Sequence, residues 1–345
     1  MEAVSEKISK ELFGFVNGIE VHLFTFRNQS GNQLRITNYG GIISSWKVTD
    51  KNGIERDIVI GFDDLETYLK PHPYIGVIAG RYANRIANGR FHIGNDVFQV
   101  TQNEFPHHLH GGNNGFDKVI WNAFVEDDNL ILTYKSPDGE DGFPGNVETH
   151  VRYSFDDDNS LSIQYLTTSD KPTVFNITSH SYFNLSGNIQ EGILDHSLTI
   201  YADYYTPVSN DGIPTGEVLP VKDSIFDFTS SRKIRHANSF ENYDHNYVLD
   251  LNQDKLRLAA VLSEEESGIQ LEVFTTEPGM QLYTGFHLDG SFLDRGGEMI
   301  EKYAGVCLET QHFPDSPNHS HFPSTILNPG ETYSSTTIYK LNFKS

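Results

Sequence analysis

The stretch of sequence that decides the fold is residues 151–165, which read VRYSFDDDNSLSIQY. Apolar residues occupy every second position on both sides of its acidic centre, at Val151, Tyr153, Phe155, Leu161, Ile163 and Tyr165. Because successive side chains of a β-strand point to opposite faces, this spacing predicts two half-buried strands. Residues 156–160 (DDDNS) between them tolerate the tight backbone angles of a turn. The stretch therefore predicts a β-hairpin.

The same period of two recurs along most of the chain, in short runs that turn clusters separate. These runs are residues 21–26, 42–48, 119–125, 130–134, 198–202, 269–274 and 336–343. The turn clusters include DKNG at residues 50–53 and SPDG at residues 136–139. Only residues 64–69 predict a short helical turn. The pattern predicts an all-β fold, a large antiparallel β-sandwich.

The 345 residues would suffice for about two average domains, but a large β fold can hold this length in one. No low-complexity linker, block of like charge or fixed-period repeat divides the sequence. We therefore expect a single domain over residues 1–345, with an N-terminal tail to about Lys10 that is mobile.

Acidic residues outnumber basic ones, 47 against 25, which gives a formal net charge of −22. Such a surface repels nucleic-acid phosphates and anionic lipid headgroups, so we expect neither nucleic acid nor a membrane as a partner. No run of about 18 apolar residues predicts a membrane helix, and the first 20 residues lack the pattern of a secretory signal. Cys307 is the only cysteine, so no intrachain disulfide can form. We expect a soluble, cytoplasmic protein.

Three segments concentrate hydrogen-bonding groups on one face of a predicted strand. Residues two apart along a strand share a face. The shared face carries Asn176, His180, Tyr182 and Asn184 in the first segment, Gln281 and Tyr283 in the second segment, and Cys307, Glu309 and Gln311 in the third segment. Such groups recognise a polyol, because they bind hydroxyls while a flat ring covers the C–H surface. A buried structural network of polar side chains would give the same pattern, so both interpretations stay open.

Two loops add arginines and histidines. GRYANRI at residues 80–86 carries two arginines, whose guanidinium groups suit oxygen-rich ligands, although their spacing alone favours surface ion pairs. HHLHGG at residues 107–112 suggests a metal, because His108 and His110 would share a strand face. No carboxylate or cysteine stands at ligand spacing beside them, so the sequence predicts no zinc site. Phosphate-binding and dinucleotide-binding glycine motifs are also absent from the sequence.

Seven motifs in a fixed order carry a resemblance to a known family. They are GRYANRI (80–86), LHGG with GFD (109–117), SPDGEDGFPG (136–145), NITSHSYFNL (176–185), YDHNY (243–247), PGMQLYTG (278–285) and LETQHFPDSP (308–317). With them the sequence resembles the aldose 1-epimerases (mutarotases), in particular the galactose mutarotase branch, along nearly its whole length.

The resemblance implies a galactose-mutarotase-like supersandwich with an open cleft for a free hexose. It implies interconversion of the α and β anomers of D-galactose or D-glucose without a metal or organic cofactor. We expect a monomer or homodimer. By similarity Glu309 is the general base and His180 the general acid. The residues that it implies for sugar binding are Asn84, Arg85, His110, Ser181, Tyr182, Asp244 and Gln281.

Two positions depart from the family pattern. Ser179 stands where an asparagine usually precedes the acid histidine, and Phe286 stands where many relatives carry asparagine. By strand alternation Ser179 points away from His180, so we expect a change in support and retained catalysis. We expect Phe286 to reshape the edge of the cleft.

Three other functions stay open at this point. Glu309 and Asp244 could form the carboxylate pair of a glycoside hydrolase. A sugar-binding protein without catalysis could use the same fold, since a fold does not fix an activity. An epimerase for hexose 6-phosphates would also share it, although such a substrate favours a more basic cleft than this chain suggests.

Overall fold

The structure is a computed structural model that describes residues 2–235, 242–249 and 255–344. The chain begins with an antiparallel sheet whose six strands are hydrogen-bonded in sequence order. These strands are β1 (Glu2–Ala3), β2 (Ile8–Val16), β3 (Ile19–Arg27), β4 (Gln33–Thr37), β5 (Ile43–Thr49) and β6 (Glu55–Asp57). Part of the predicted N-terminal tail thus lies in strands, and its mobility stays a prediction.

A region of short elements follows, beginning with helix α1 (Leu65–Tyr68). The side chain of Asp64 caps this helix by accepting a 2.8 Å hydrogen bond from the Thr67 amide, which confirms the helical turn predicted at residues 64–69. Where the chain is described, α1 is the only α-helix, and nothing in it has the length and apolarity of a membrane-spanning helix. The short strands are β7 (Ile78–Ala79), β8 (Arg85–Ile86), β9 (Arg90–Ile93), β10 (Asp96–Gln99) and β11 (His108–Leu109).

The predicted hairpin lies in the middle of the chain. Strands β12 (Asn122–Glu126) and β13 (Asn129–Ser136) precede it, and it consists of β14 (Val147–Phe155) and β15 (Ser160–Ser169). Val151 of β14 pairs with Tyr165 of β15, and Phe155 pairs with Leu161, so the apolar residues of both strands share one face. That face is buried, which confirms the hairpin at residues 151–165.

Most of the remaining strands complete two large antiparallel sheets. The remaining strands are β16 (Thr173–Val174), β17 (Thr178–Ser179), β18 (Tyr182–Phe183), β19 (Ser197–Ile200), β20 (Tyr204–Thr206), β21 (Leu219–Pro220), β22 (Arg232–Lys233), β23 (Asp244–Val248), β24 (Arg257–Ser263), β25 (Ile269–Thr275), β26 (Gly279–Tyr283), β27 (Val306–Gln311), β28 (Ile326–Leu327) and β29 (Tyr333–Phe343). One sheet has nine strands in the order β12-β13-β14-β15-β29-β25-β24-β19-β22. The other has six, in the order β18-β27-β26-β23-β20-β21. In contrast, β16 pairs with β28 and β17 pairs with β7 in separate two-stranded sheets. The prediction of an all-β antiparallel fold is confirmed.

One hydrophobic core joins the three large sheets. Trp46 of β5, Tyr153 of β14 and Leu308 of β27 belong to a single cluster of buried side chains. Burying a large apolar side chain contributes about 1.5–3 kcal/mol, so Leu308 anchors β27 firmly to this core. Its neighbour Glu309 therefore has to point to the opposite face of the strand. That the chain forms one domain stays a prediction.

The segment from residue 174 to residue 185 is not the single strand on which its predicted face was counted. It contains three two-residue strands, β16, β17 and β18, which pair with β28, β7 and β27 respectively. The side-chain amide of Asn176 donates to the Ala83 carbonyl, and the side-chain amide of Asn184 donates to the Ala304 carbonyl. These two asparagines therefore belong to a buried structural network of polar side chains. His180, in contrast, lines a cleft.

Candidate active site

A cleft of about 270 Å³ opens beside β23, β26 and β27 of the second six-stranded sheet. Seven of the nine predicted site residues line it, namely Asn84, Arg85, His110, His180, Tyr182, Asp244 and Glu309. They come from five separate parts of the chain, so the fold brings together what the sequence keeps up to 225 residues apart (309 − 84). The cleft is the natural candidate for the active site.

Glu309 is almost completely buried, with a side-chain exposure of 2%. Its Oε2 has no hydrogen-bond partner among the described residues. Burial raises the pKa of this carboxyl well above its usual value, and the negative charge of Asp244 adds to the shift. A carboxyl with these properties is a strong base once it is ionised.

His180 faces Glu309. Its Nε2 lies 3.7 Å from Glu309 Oε1, and its Nδ1 lies 3.5 Å from the sulfur of Cys307. The ring packs against Tyr182 at a centroid distance of 5.1 Å, which limits its rotation. Burial lowers the pKa of His180 to about 4, so its imidazolium is a stronger acid than an exposed one. The two groups can serve as an acid and a base that act together.

His110 is held in one tautomer by the backbone. Its Nδ1 accepts a 3.1 Å hydrogen bond from the amide of Asn84, so in the neutral ring the proton is on Nε2. Burial lowers the pKa of His110 well below its usual value, which keeps the ring neutral. His110 is therefore a hydrogen-bond donor to whatever the cleft binds.

The cleft also contains the one group of side chains in the described ranges that has the spacing of a metal site. His110, His180 and Glu309 offer ligand atoms that all lie within 4.8 Å of one another. A metal bound to Nε2 of His110 would require the proton on Nδ1, where the Asn84 amide already donates. The hydrogen bond thus favours proton transfer over metal binding here. His108, also considered as a ligand in the sequence, bonds elsewhere, to the Thr101 carbonyl at 2.7 Å.

Arg85 is fixed on three sides. Its Nε and Nη2 donate to the two carboxylate oxygens of Glu104 at 2.6 and 3.0 Å, and its Nη1 lies 3.4 Å from Asp244 Oδ2. The backbone of Gly212 lies against the guanidinium, because a Cβ built there would be 2.9 Å from Cζ and Nη1. Burial alone would lower the pKa of Arg85, but the bonds to Glu104 and the charge of Asp244 raise it.

Two predicted site residues do not line the cleft. Gln281 lies one strand away from Glu309, and its Nε2 donates to Asp244 Oδ1 at 2.6 Å. Ser181 is buried with its hydroxyl 3.2 Å from that of Ser179. Tyr182 lines the cleft with its ring, since its hydroxyl donates to the Pro73 carbonyl at 2.7 Å. Cys307 contacts His180 but does not line the cleft.

The further lining residues that were missed in the sequence include Tyr74, Glu104 and His287. Tyr74 has a left-handed backbone, with φ of 55°, and its ring packs at a tilt on that of His110, with the ring centroids 4.5 Å apart. None of the three lies on a strand, so no periodicity marked them. Phe286 packs on His287 at 4.2 Å and on Tyr283 at 5.4 Å, which places it behind two lining residues and supports its expected influence on the cleft edge.

Comparison with known proteins agrees with this geometry. The family model described as aldose 1-epimerase matches residues 22–340. The galactose mutarotase of Rattus norvegicus is 39% identical over 340 residues, covering 97% of this chain and 98% of the relative. The aldose 1-epimerase of Escherichia coli K12 is 37% identical over 336 residues, covering 94% and 96%.

Solved structures agree in fold. A GalM/aldose epimerase homologue from C. elegans superposes with a TM-score of 0.88 at 29% identity, covering 93% of this chain and 98% of that one. Galactose 1-epimerase from Lactobacillus acidophilus gives a TM-score of 0.86 at 28% identity, covering 99% and 100%. The architecture is thus that of the galactose mutarotase-like supersandwich, and the chain belongs to the aldose 1-epimerase family.

Proposed function

We propose that this protein is an aldose 1-epimerase that interconverts the α and β anomers of free hexoses such as D-galactose and D-glucose. The observation that carries the proposal is the buried pair of Glu309 and His180, 3.7 Å apart in a cleft large enough for a monosaccharide. The names of the relatives support the same reaction.

The proposed reaction is a transfer of two protons. Glu309 takes the proton from the anomeric hydroxyl while His180 gives one to the ring oxygen. The bond from C1 to the ring oxygen breaks, C1 becomes an aldehyde carbon, and the C1–C2 bond rotates. Closure on the other face returns both protons and yields the second anomer. Proton transfer by positioned groups typically contributes about 10²–10⁴-fold to the rate.

The remaining cleft residues hold the sugar in this proposal. Asn84, Arg85 and Asp244 bind hydroxyls, and His110 donates from Nε2 close to the reacting centre. Tyr182 offers its ring to the C–H surface of the sugar. Gln281 acts through its bond to Asp244, and Ser181 supports the segment that carries His180.

The proposal is tested by polarimetry on freshly dissolved α-D-galactose and α-D-glucose. The protein should speed the relaxation of optical rotation with both sugars. If the sugars bind without faster relaxation, a non-catalytic binding protein is the correct function. Release of nitrophenol from a nitrophenyl galactoside would indicate a glycoside hydrolase instead.

We further propose that the protein is a cytoplasmic monomer or homodimer. We also propose that it has no nucleic-acid or membrane partner, which the net charge of −22 supports. Size-exclusion chromatography with light scattering measures the oligomeric state directly. A neutral hexose is compatible with such a charge, because its binding needs no complementary field.

The pH dependence follows from the two shifted pKa values. Acid and base exchange roles during ring closure, so the active form is the pair holding one proton. As pH falls below about 4, His180 becomes protonated as well, so the pair holds two protons and no base remains. At high pH the pair loses its last proton, so no acid remains. We expect kcat/KM for D-galactose to have a broad flat top with its acid limb near pH 4. A single steep limb near pH 6.5 would contradict this account.

The contact between Gly212 and Arg85 gives a second expected result. Gly212→Ala adds a Cβ that pushes the guanidinium away, so we expect KM for D-galactose to rise about tenfold with a smaller change in kcat. Gly18→Ala is the matched control, because φ is 81° at Gly18 and 78° at Gly212, but nothing lies within 4 Å of a Cβ at Gly18. Equal KM values for the two variants would show that the contact does not matter. Steady-state kinetics by polarimetry measures both.

A further inference from the structure

The positively charged side chain of the cleft is already paired with a carboxylate of the protein itself. Among the described residues that line it, Arg85 is the only lysine or arginine. Its Nε and Nη2 donate to both oxygens of Glu104, at 2.6 and 3.0 Å. Arginine would use the same bidentate geometry to bind the carboxylate or phosphate of a ligand. Glu104 therefore occupies the part of Arg85 that an anionic ligand would need.

The guanidinium has no freedom to turn another edge towards a ligand. Nη1 is next to Asp244 Oδ2, and Asp244 is itself held by Gln281. Gly212 covers one side of the group, and the side chain of Arg85 is 13% exposed. Arg85 is thus a fixed donor for neutral hydroxyls.

The charges around the cleft repel anions. Two carboxylates, those of Glu104 and Asp244, line it together with the single guanidinium, and Glu309 adds a third carboxyl group. Lys118 is a further cation close to the cleft, 5.8 Å from the ring of Tyr74, but it pairs with Asp117 at 2.8 Å. A ligand with a phosphate or carboxylate would meet excess negative charge and lose its water shell without a free partner.

We propose that Glu104 determines specificity by substrate charge: by occupying the fork of Arg85 it restricts the enzyme to neutral aldoses and excludes hexose phosphates and hexuronic acids. This inference rests on the proposed epimerase function. It distinguishes the protein from an epimerase for hexose 6-phosphates, which the sequence left open.

The test compares neutral and anionic aldoses on wild type and Glu104→Gln. Glutamine keeps the shape of the side chain and one acceptor, but it removes the charge and frees an N–H of Arg85. The substrates are D-galactose and D-glucose on one side and D-galacturonate and D-glucose 6-phosphate on the other. We expect wild type to prefer the neutral sugars by at least about 100-fold in kcat/KM, and the variant to reduce this preference at least about tenfold. Added salt should shrink the difference between the two proteins.

Glu298→Gln is the control for total charge, because Glu298 is exposed and does not line the cleft. It changes the net charge by the same unit and should keep the preference of wild type. Glu104→Ala is the second variant, with thermal unfolding measured for all proteins. The proposal is overturned if wild type accepts D-galacturonate as readily as D-galactose, or if folded Glu104 variants keep the wild-type preference. Failure of the proposed function is a different result, namely no wild-type activity on D-galactose.

Discussion

Glu309→Gln is expected to lower kcat for D-galactose by about 10³-fold while KM changes by less than about threefold. An amide cannot accept the proton of the anomeric hydroxyl, but it keeps the size of the carboxyl and its place in the cleft. The loss should therefore appear in the chemical step. Polarimetry at several sugar concentrations separates the two constants. A variant that relaxes the rotation as fast as wild type would show that Glu309 is not the base.

The stability of the same variant is a second readout. Burial raises the pKa of Glu309 in the folded state only, so ionisation of this group lowers the stability of wild type as pH rises through that pKa. Glutamine mimics the neutral carboxyl and does not ionise. We therefore expect an unchanged thermal midpoint at low pH and a higher one than wild type at high pH.

Glu277→Gln is the matched control, because Glu277 is equally buried, with 2% of its side chain exposed. Burial alone would raise the pKa of Glu277, but the charge of His312 and their 2.7 Å hydrogen bond lower it overall. This glutamate is thus ionised and structural. Its replacement should cost about 1–3 kcal/mol of unfolding free energy and leave kcat near the wild-type value.

Strand periodicity predicted the faces on which part of the candidate site lies, whereas the roles of its residues came from the family resemblance. Glu309 and Gln281 alternate with buried apolar residues on β27 and β26, because Leu308 and Leu282 have to face the core. Both strands are regular, so counting in twos gave the correct face. His180 was assigned through the family resemblance, since its segment changes pairing partner twice and the period of two does not apply there.

The rest of the site depends on contacts that no local pattern encodes. Arg85 had to find a carboxylate partner to be buried, but the sequence offers 47 acidic residues and nothing in their spacing marks Glu104. Tyr74 reaches the cleft from a loop whose position is set by the packing of distant strands. Such contacts form only when the sheets assemble, so they require the three-dimensional structure.

His180→Asn should lower kcat for D-galactose by about 10³-fold, because asparagine cannot protonate the ring oxygen when the ring opens. The base Glu309 is intact in this variant, so the residual rate measures what one group achieves alone. If the two groups act as a pair, the double variant with Glu309→Gln should be only slightly slower than either single variant. Fully multiplicative losses would contradict the paired mechanism.

His196→Asn is the control that separates the chemistry of His180 from the burial of an imidazole. His196 is 2% exposed against 4% for His180, and burial lowers the pKa of both to about 4. Its Nε2 accepts a 2.9 Å hydrogen bond from the Leu185 amide, and it does not line the cleft. The control should lose about 1–3 kcal/mol of stability, because that amide is left unpaired, and keep its kcat. Equal losses of kcat in both variants would mean that His180 acts through packing, since of these two histidines His180 faces Glu309 and His196 does not line the cleft.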